Sequence, residues 1–418
     1  VNIRSLTTGA ALPTADEARL ELAARLGSFA HAGRQALEAE GFTVQTTRLA
    51  AQPLEDWLAP DDYAPGKAAA LGAACADAGI DYFSVGTLQA TIPQKEFEPF
   101  YELVPELLLA AGNAFASIQV GARTGSGGIV NLEAVRASAR VMQSLAERTA
   151  EGFGNLRFAA ACNCPPHVPF FPAAYYKDDE RNGGRPEFGL ALEAADLAVR
   201  AFDGATSLDE ARLRLLGLLE EEAGKAADVC VALSAEHGYT FTGLDISMAP
   251  FPDDARSIGR ALEMLSGAPL GSPGTLTAAA FLTSVLKQAR QQLPTVGYSG
   301  LMLPALEDQT LADRAAEGLV TVDTLLLMSA VCGLGLDTVP LPGDVTASQL
   351  ERIITDMAVM AVKLDKPLTA RLLPVPGKSA GDPAEWPDFP YFARGKVMHV
   401  PPVQQGAGLF NGAFIDLA

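Results

Sequence analysis

Leu156-Arg157-Phe158-Ala159-Ala160-Ala161-Cys162 and, further along, Phe188-Gly189-Leu190-Ala191-Leu192 decide the fold class. From Phe158 in the first and throughout the second, every residue is small or apolar, without polar alternation. Strands of that kind have both faces covered by helices and belong to mostly parallel sheets. Upstream, the sequence alternates in the same sense: strand 2–8, a helix running to Gly41, strand 42–49, helix 66–79, strand 81–88, helix 99–113, strand 114–120 and helix 132–152. Thr14 and Glu17 have the spacing of a capping box before the first helix. Downstream, a helix runs through Phe202 and another spans 207–238. Strand 239–248, helical segments within 256–290, strand 296–303, helices to Val331, strand 337–341, helix 347–364 and strand 368–375 follow. With about ten βα repeats and no Gly/Ser-rich connector before residue 377, a single α/β domain over 1–400 with a tail over 401–418 is expected.

The composition narrows the partners. Of 418 residues, 49% are hydrophobic and 19% charged, which suits a chain with a large core. The net charge of -19 repels phosphate backbones and anionic lipid, so neither nucleic acid nor a membrane surface is an expected partner. No apolar run approaches the roughly 20 residues that a membrane helix needs. Residues 1–8 do not read as a secretory signal. Five sparsely placed cysteines do not make a disulfide framework, and a cytoplasmic setting is expected. A homo-oligomer is the expectation for a large metabolic protein.

Ligand sites in parallel α/β sheets gather at the carboxyl ends of the strands. Five places draw attention on that ground. The Gly-rich stretch 121–128, leading through Asn131 into a helix, either presents backbone N–H groups and Arg123 and Thr124 to an anion or is a plain tight turn. Gly271-Ser272-Pro273-Gly274-Thr275 either offers the hydroxyls of Ser272 and Thr275 to a carboxylate or phosphate or starts a helix. Cys162-Asn163-Cys164-Pro165-Pro166-His167 is a clustering of soft ligands. It is a candidate zinc or other divalent-metal site through Cys162, Cys164 and His167, although its Cys-x-Cys spacing is not the usual one.

Asp245, inside the apolar stretch 243–250, is a carboxylate that burial would penalise unless it is hydrogen-bonded or cation-bound, and is therefore either structural or catalytic. Glu307-Asp308 follows the expected strand 296–303 and supplies another acid pair, or else a helix-start charge. The fifth place, 331–344, is dense in Gly and Pro and includes Cys332 and Asp337, as if the chain passed close to another backbone or a ligand. Of the four histidines only His167 falls near such a place.

Several of these segments resemble the family catalogued as domain of unknown function 711, over about residues 2–399. The opening Asn2-Ile3-Arg4-Ser5-Leu6-Thr7 is similar. So are 117–135, Leu244-Asp245-Ile246-Ser247-Met248-Ala249-Pro250 with Gly271-Ser272-Pro273-Gly274-Thr275, and Ser299-Gly300-Leu301 through Pro304 to Glu307-Asp308. The stretch from Cys332 through Gly335-Leu336-Asp337 to Pro342-Gly343-Asp344 also matches. The resemblance implies a ten-stranded α/β barrel like that of the glycyl radical enzymes, with mostly parallel strands, covering helices and loops reaching into the barrel. It also implies a link to amino-acid or related metabolism, since relatives occur beside small amino-acid-binding regulatory domains.

The chain departs from the family in two places. Where relatives carry an Asn-Pro-Phe-Met-Ala-Gly-like stretch, it has Pro169-Phe170-Phe171-Pro172-Ala173-Ala174-Tyr175-Tyr176. Its tail glycines, Gly406, Gly408 and Gly412, lack the Arg-x-x-Gly-aromatic setting of a radical glycine, and no adjacent cysteine pair is present. Glycyl radical chemistry is not expected.

Together these features suggest an enzyme, a hydrolase or lyase, acting on a small polar or amino-acid-like metabolite by acid/base or metal-assisted chemistry. Asp245 and Glu307 would be the acid/base groups, Asp337 their support, and His167 and Tyr175 would stand at the mouth. Arg123, Thr124, Asn131, Ser272 and Thr275 would hold the substrate. The alternative is a non-catalytic protein that binds or senses such a ligand.

Overall fold

The computed structural model describes residues 1–125, 127–403 and 411–417. Its strands are β1 (Asn2–Gly9), β2 (Val44–Ala50), β3 (Tyr82–Leu88), β4 (Ala114–Thr124), β5 (Gly127–Asn131), β6 (Phe158–Cys162) and β7 (Glu187–Glu193). They continue with β8 (Thr240–Asp245), β9 (Gly335–Pro342), β10 (Leu368–Val375), β11 (Pro383–Ala384), β12 (Gly395–Lys396) and β13 (Phe414–Asp416). The helices are α1 (Asp16–Ala39), α2 (Ala64–Asp77), α3 (Glu98–Ala110), α4 (Leu132–Arg148), α5 (Ala195–Phe202) and α6 (Leu208–His237). After them come α7 (Ile258–Ser266), α8 (Thr275–Ala289), α9 (Gln309–Ala316), α10 (Val322–Ser329) and α11 (Ala347–Leu364).

The fold is mixed α/β, built on one large, mostly parallel sheet. Its path is β8-β7-β1-β2-β3-β4-β6-β10-β9, with β5 and β13 attached beside β4. β1, β2, β3, β4 and β6 run parallel to one another. β7 with β8 and β10 with β9 form two further parallel pairs, and each joins the central block antiparallel. The expected count of ten strands is therefore corrected: this sheet has eleven, and β11 and β12 form a separate ribbon.

β6 reads Phe-Ala-Ala-Ala-Cys and is buried at every position, as the absence of polar alternation predicts. α4 opens on Asn131, whose side chain accepts hydrogen bonds from the amides of Glu133 and Ala134. α11 opens on a capping box between Thr346 and Gln349. The capping box expected from Thr14 and Glu17 does not form. α1 begins at Asp16 on an uncapped Ala15, and Asp16 and Glu17 in its first turn complement the helix dipole instead.

Two other expectations are corrected by backbone geometry. The Gly-rich stretch 121–128 reaches helix α4 only through a strand, β5, which ends on the cap residue Asn131. β4 continues through it to Thr124 and returns as β5, with Thr124 opposite Gly127; Ser126 lies outside the described residues. Glycine is needed at 128 because α11 crosses so closely that a Cβ there would stand 2.2 Å from Val362.

Segment 294–305 is not a regular strand. Gly297 and Ser299 adopt positive φ, and the carboxylate of Asp245 takes the amides of Tyr298 and Ser299 that a ladder would otherwise use. The segment still bonds to both edges of the sheet path. Leu244 N–H donates to Pro294 and Val296 N–H to Leu244 at the β8 edge, and Ala305 N–H donates to Asp337 at the β9 edge.

The irregular loop 163–186 lies against strand hydroxyls. Ser5 and Thr7 both donate to the carbonyl of Pro169, at 3.1 and 2.8 Å, and Ser84 donates to that of Ala174 at 2.8 Å. Small hydroxyl residues on the strands thus satisfy a buried loop whose carbonyls have no ladder of their own. The tail also returns to the sheet. β13 pairs antiparallel with β5, while Gly406 and Gly408 lie outside the described residues.

Candidate functional site

A cavity partly open to solvent, with about 850 Å³ of empty space when the solvent at its mouth is included, is walled by strand residues and by the loop segment Phe170–Ala173. Arg4 enters from β1, Arg48 from β2, Asp337 from β9 and Arg371 from β10; Glu307 stands just before the start of α9. Four of these five ionic groups sit on strands, which holds them in place more firmly than loops would.

The charges form a ladder. Arg371 donates through Nε to Asp337 and through Nη2 to Glu307 at 2.9 Å. Arg4 donates to the other oxygen of Glu307 at 2.8 Å and to the carbonyl of Pro250 at 2.9 Å. Beyond the cavity wall Arg4 also approaches Glu193 at 3.6 Å, and Arg256 holds Glu193 at 3.0 Å. Both oxygens of Glu307 are thus committed to guanidinium groups.

Arg48 stands apart from that ladder. Its Nε donates to Thr46 at 2.9 Å, and no carboxylate among the described residues lies within ion-pair distance of it. Its guanidinium carbon lies 5.1 Å from the ring centre of Phe171 and 5.9 Å from that of Tyr82. Burial, and after it the charge of Arg4, lowers its pKa to about 10, so it stays cationic at neutral pH. The cavity wall therefore carries three arginines against two carboxylates.

Asp337 is the acid in this wall whose protonation burial disturbs. Burial pushes its pKa up and the charge of Glu307 adds to that, while Arg371 pulls it down; the balance lies above the usual carboxylate value. Tyr298, also in the wall, is pushed well above the usual phenol value by burial. It shares a 3.3 Å hydrogen bond with the thiol of Cys164.

Of the residues singled out from sequence, Glu307 and Asp337 meet in this cavity. Asp245 does not line it. Fully buried, its carboxylate accepts from Ser247 N–H at 3.1 Å, Ser247 Oγ at 2.5 Å, Tyr298 N–H at 2.7 Å and Ser299 N–H at 2.9 Å. Its pKa nevertheless rises to about 6, because burial outweighs the four bonds. The group ties β8 to the 296–300 turn.

His167 and Tyr175 line a small pocket elsewhere, beside Gly9 and Ala50. His167 is held between Glu187, 2.8 Å from Nδ1, and Asp179, 2.9 Å from Nε2. Burial opposes its charge, but the bonds and charges of the two carboxylates outweigh it, and its pKa is raised. Tyr175 donates to the carbonyl of Cys164 at 3.3 Å.

Arg123 and Thr124 are exposed at the hairpin tip, and Asn131 is spent on capping α4 and on the carbonyl of Ala90. Thr275 accepts from Gly271 N–H at the start of α8, and Ser272 accepts the amide of Thr275. These five do not reach the cavity.

The candidate metal ligands also part. Cys162 is within 3.6 Å of the carbonyl of Ala358, Cys164 turns to Tyr298, and His167 is engaged by carboxylates. Burial raises both thiol pKa values, that of Cys164 to about 12, so neither offers a thiolate readily. Among the described residues no three His, Cys, Asp or Glu side chains are arranged to hold a metal ion.

Sequence reasoning missed Arg4, Arg48 and Arg371. The argument applied to Asp245 would have found Arg371, a cation within the otherwise apolar strand Leu-Thr-Ala-Arg-Leu-Leu-Pro-Val. Arg48 gave no such signal, because it ends the polar run Gln45-Thr46-Thr47-Arg48 in its strand.

No helix among the described residues is long and apolar enough to cross a membrane. The family described as Uncharacterised ACR (DUF711) matches residues 1–388. A UPF0210 protein of Pyrobaculum aerophilum is 38% identical over 267 residues, which is 60% of this chain and 56% of that protein. A UPF0210 protein of Pyrobaculum arsenaticum is 33% identical over 365 residues, 82% of this chain and 76% of its own length. One from Bifidobacterium longum subsp. infantis is 30% identical over 330 residues, 76% and 70% of the two chains. The chain thus spans little more than half of the first relative and about three quarters of the other two. A match over residues 1–388, nearly its whole length, makes this chain a member of the DUF711 family.

Proposed function

We propose that the cavity binds a small organic anion and that the protein is an enzyme acting on it by acid–base hydrolysis or elimination. The observation that carries this reading is Arg48, a cation inside the cavity with no carboxylate opposite it. A half-buried charge of that kind has lost part of its hydration with no counter-charge in return, and a ligand anion entering the cavity would supply one. Asp337 is the proton-exchanging group of this reading. Arg371 holds its Oδ1, and its raised pKa brings it closer to neutrality than an ordinary carboxylate. The Arg4–Glu307–Arg371 ladder fixes the wall around it.

Segment 294–305 bonds to both β8 and β9, which supports a sheet closed on itself around the loop 163–186. The five cysteines, all free and buried, support a reducing, cytoplasmic setting.

The test is a ligand-observed NMR screen of small organic acids against wild type, Arg48→Met and Asp337→Asn. The expected result is binding to wild type that Arg48→Met loses, and conversion of a bound acid that Asp337→Asn abolishes while still binding it. Equal binding by Arg48→Met would overturn the reading. A second reading, a non-catalytic binding or regulatory protein, is favoured by the full commitment of Glu307 to two arginines, a geometry suited to fixed hydrogen bonds. It prevails if bound acids are never converted by the wild type.

A further inference from the structure

We infer that the ligand's anion is a single carboxylate carried on an aromatic or branched apolar body. This deepens the proposed function and rests on its reading of Arg48. With Nε spent on Thr46, Arg48 keeps its two Nη groups for the cavity. Two parallel N–H donors match the two oxygens of one carboxylate.

Charge and donor supply argue against a phosphate ester. The wall has a surplus of one positive charge, whereas a phosphate monoester carries close to two negative ones. The nearest helix start offers no help, because α9, next to Glu307, is already capped by Asp308. That carboxylate accepts from Leu311 N–H at 2.9 Å and also takes the amides of Ile258 and Gly259.

The body is read from what surrounds the guanidinium. Tyr82, Phe115 and Phe171 form a contiguous aromatic wall, with ring centres 5.2 Å apart for the first pair and 5.3 Å for the second. The same wall carries Arg48 over two of its rings. A carboxylate on Arg48 therefore has apolar surface directly beside it. An aryl or branched group would cover that wall, and a short polar acid would leave it wet.

The test measures binding of phenylacetate, acetate, 2-phenylethanol and phenyl phosphate to the full chain by titration calorimetry. Phenylacetate should bind, while acetate and 2-phenylethanol should each bind about tenfold or more weakly, since each lacks one half of the recognition. Phe171→Ala should weaken phenylacetate, and Arg48→Lys, which keeps the charge and loses the fork, should also weaken it about tenfold. Circular dichroism melts of the variants confirm that they fold.

Phenyl phosphate binding more tightly than phenylacetate, with both lost in Arg48→Met, would overturn the carboxylate class and leave the anion site standing. Phenylacetate binding unchanged in Arg48→Met would bring down both. Failure of all four probes to bind would overturn the carboxylate class.

Discussion

Asp245, fully buried, and Arg48, half-buried in the cavity wall, are both charges without an ion-pair partner among the described residues, and they differ in what the protein gives them. Asp245 receives four hydrogen bonds from the turn it anchors, and nothing is left over for a ligand. Arg48 receives one acceptor, Thr46, and turns the rest of its fork into open space. Both pKa values move in the direction that burial dictates, up to about 6 for the acid and down to about 10 for the base. A perturbed pKa therefore does not separate a structural charge from a functional one. The unspent hydrogen-bonding capacity does.

Four substitutions test that distinction. The largest expected effect is at Arg371, which bridges two acids as fully as Asp245 is bridged by its donors. Arg371→Met leaves Glu307 and Asp337 side by side without their shared cation, and chemical denaturation should show a loss of about 3–5 kcal/mol. Asp245→Asn keeps the size but replaces one acceptor oxygen with a donor facing backbone amides. Urea unfolding at neutral pH should show a loss of about 2–3 kcal/mol; no loss would mean that the four bonds do not anchor the turn.

His167→Gln should cost less, and by an amount that depends on pH. The folded pKa of His167 is raised above its ordinary 6.5, so the stabilisation from its charged form is complete below that value and fades as pH rises through the folded pKa. The gap between wild type and variant in thermal melts should therefore be widest in mild acid and narrow towards alkaline pH. A gap that widens with pH would show that His167 is buried neutral. The smallest effect on stability is expected at Arg48. Because the charge that acts on it most is that of another arginine, Arg4, Arg48→Met should leave unfolding free energy within about 1 kcal/mol of wild type, or raise it. A large loss would place Arg48 with Asp245 among the structural charges.

Much of the fold was legible in advance. β6 and β10 lie where their apolar runs place them, and α11 spans residues 347–364 as its periodicity predicts. Segment 294–305 was misread as a strand because Val-Gly-Tyr-Ser-Gly-Leu has strand-like composition. Its course was decided by a carboxylate fifty residues upstream taking its amides. The Gly-rich stretch left an anion loop and a plain tight turn both open, because its glycines signal close approach without saying to what. The approaching group is a side chain of α11. At the candidate site, Glu307 was found because an acid after an expected strand stands out and Asp337 because it lies in a Gly- and Pro-dense stretch, whereas Arg4 and Arg48, in strands rich in polar residues, did not stand out.

By itself, then, the sequence determined the α/β class, the order and type of most elements and the family, because hydrophobic periodicity and local capping act over a few residues. Tertiary structure alone decided which charges meet. Arg4, Arg48, Glu307, Asp337 and Arg371 come from five separate segments, and whether a buried charge is satisfied depends on donors and acceptors that only the assembled sheet brings within about 3 Å.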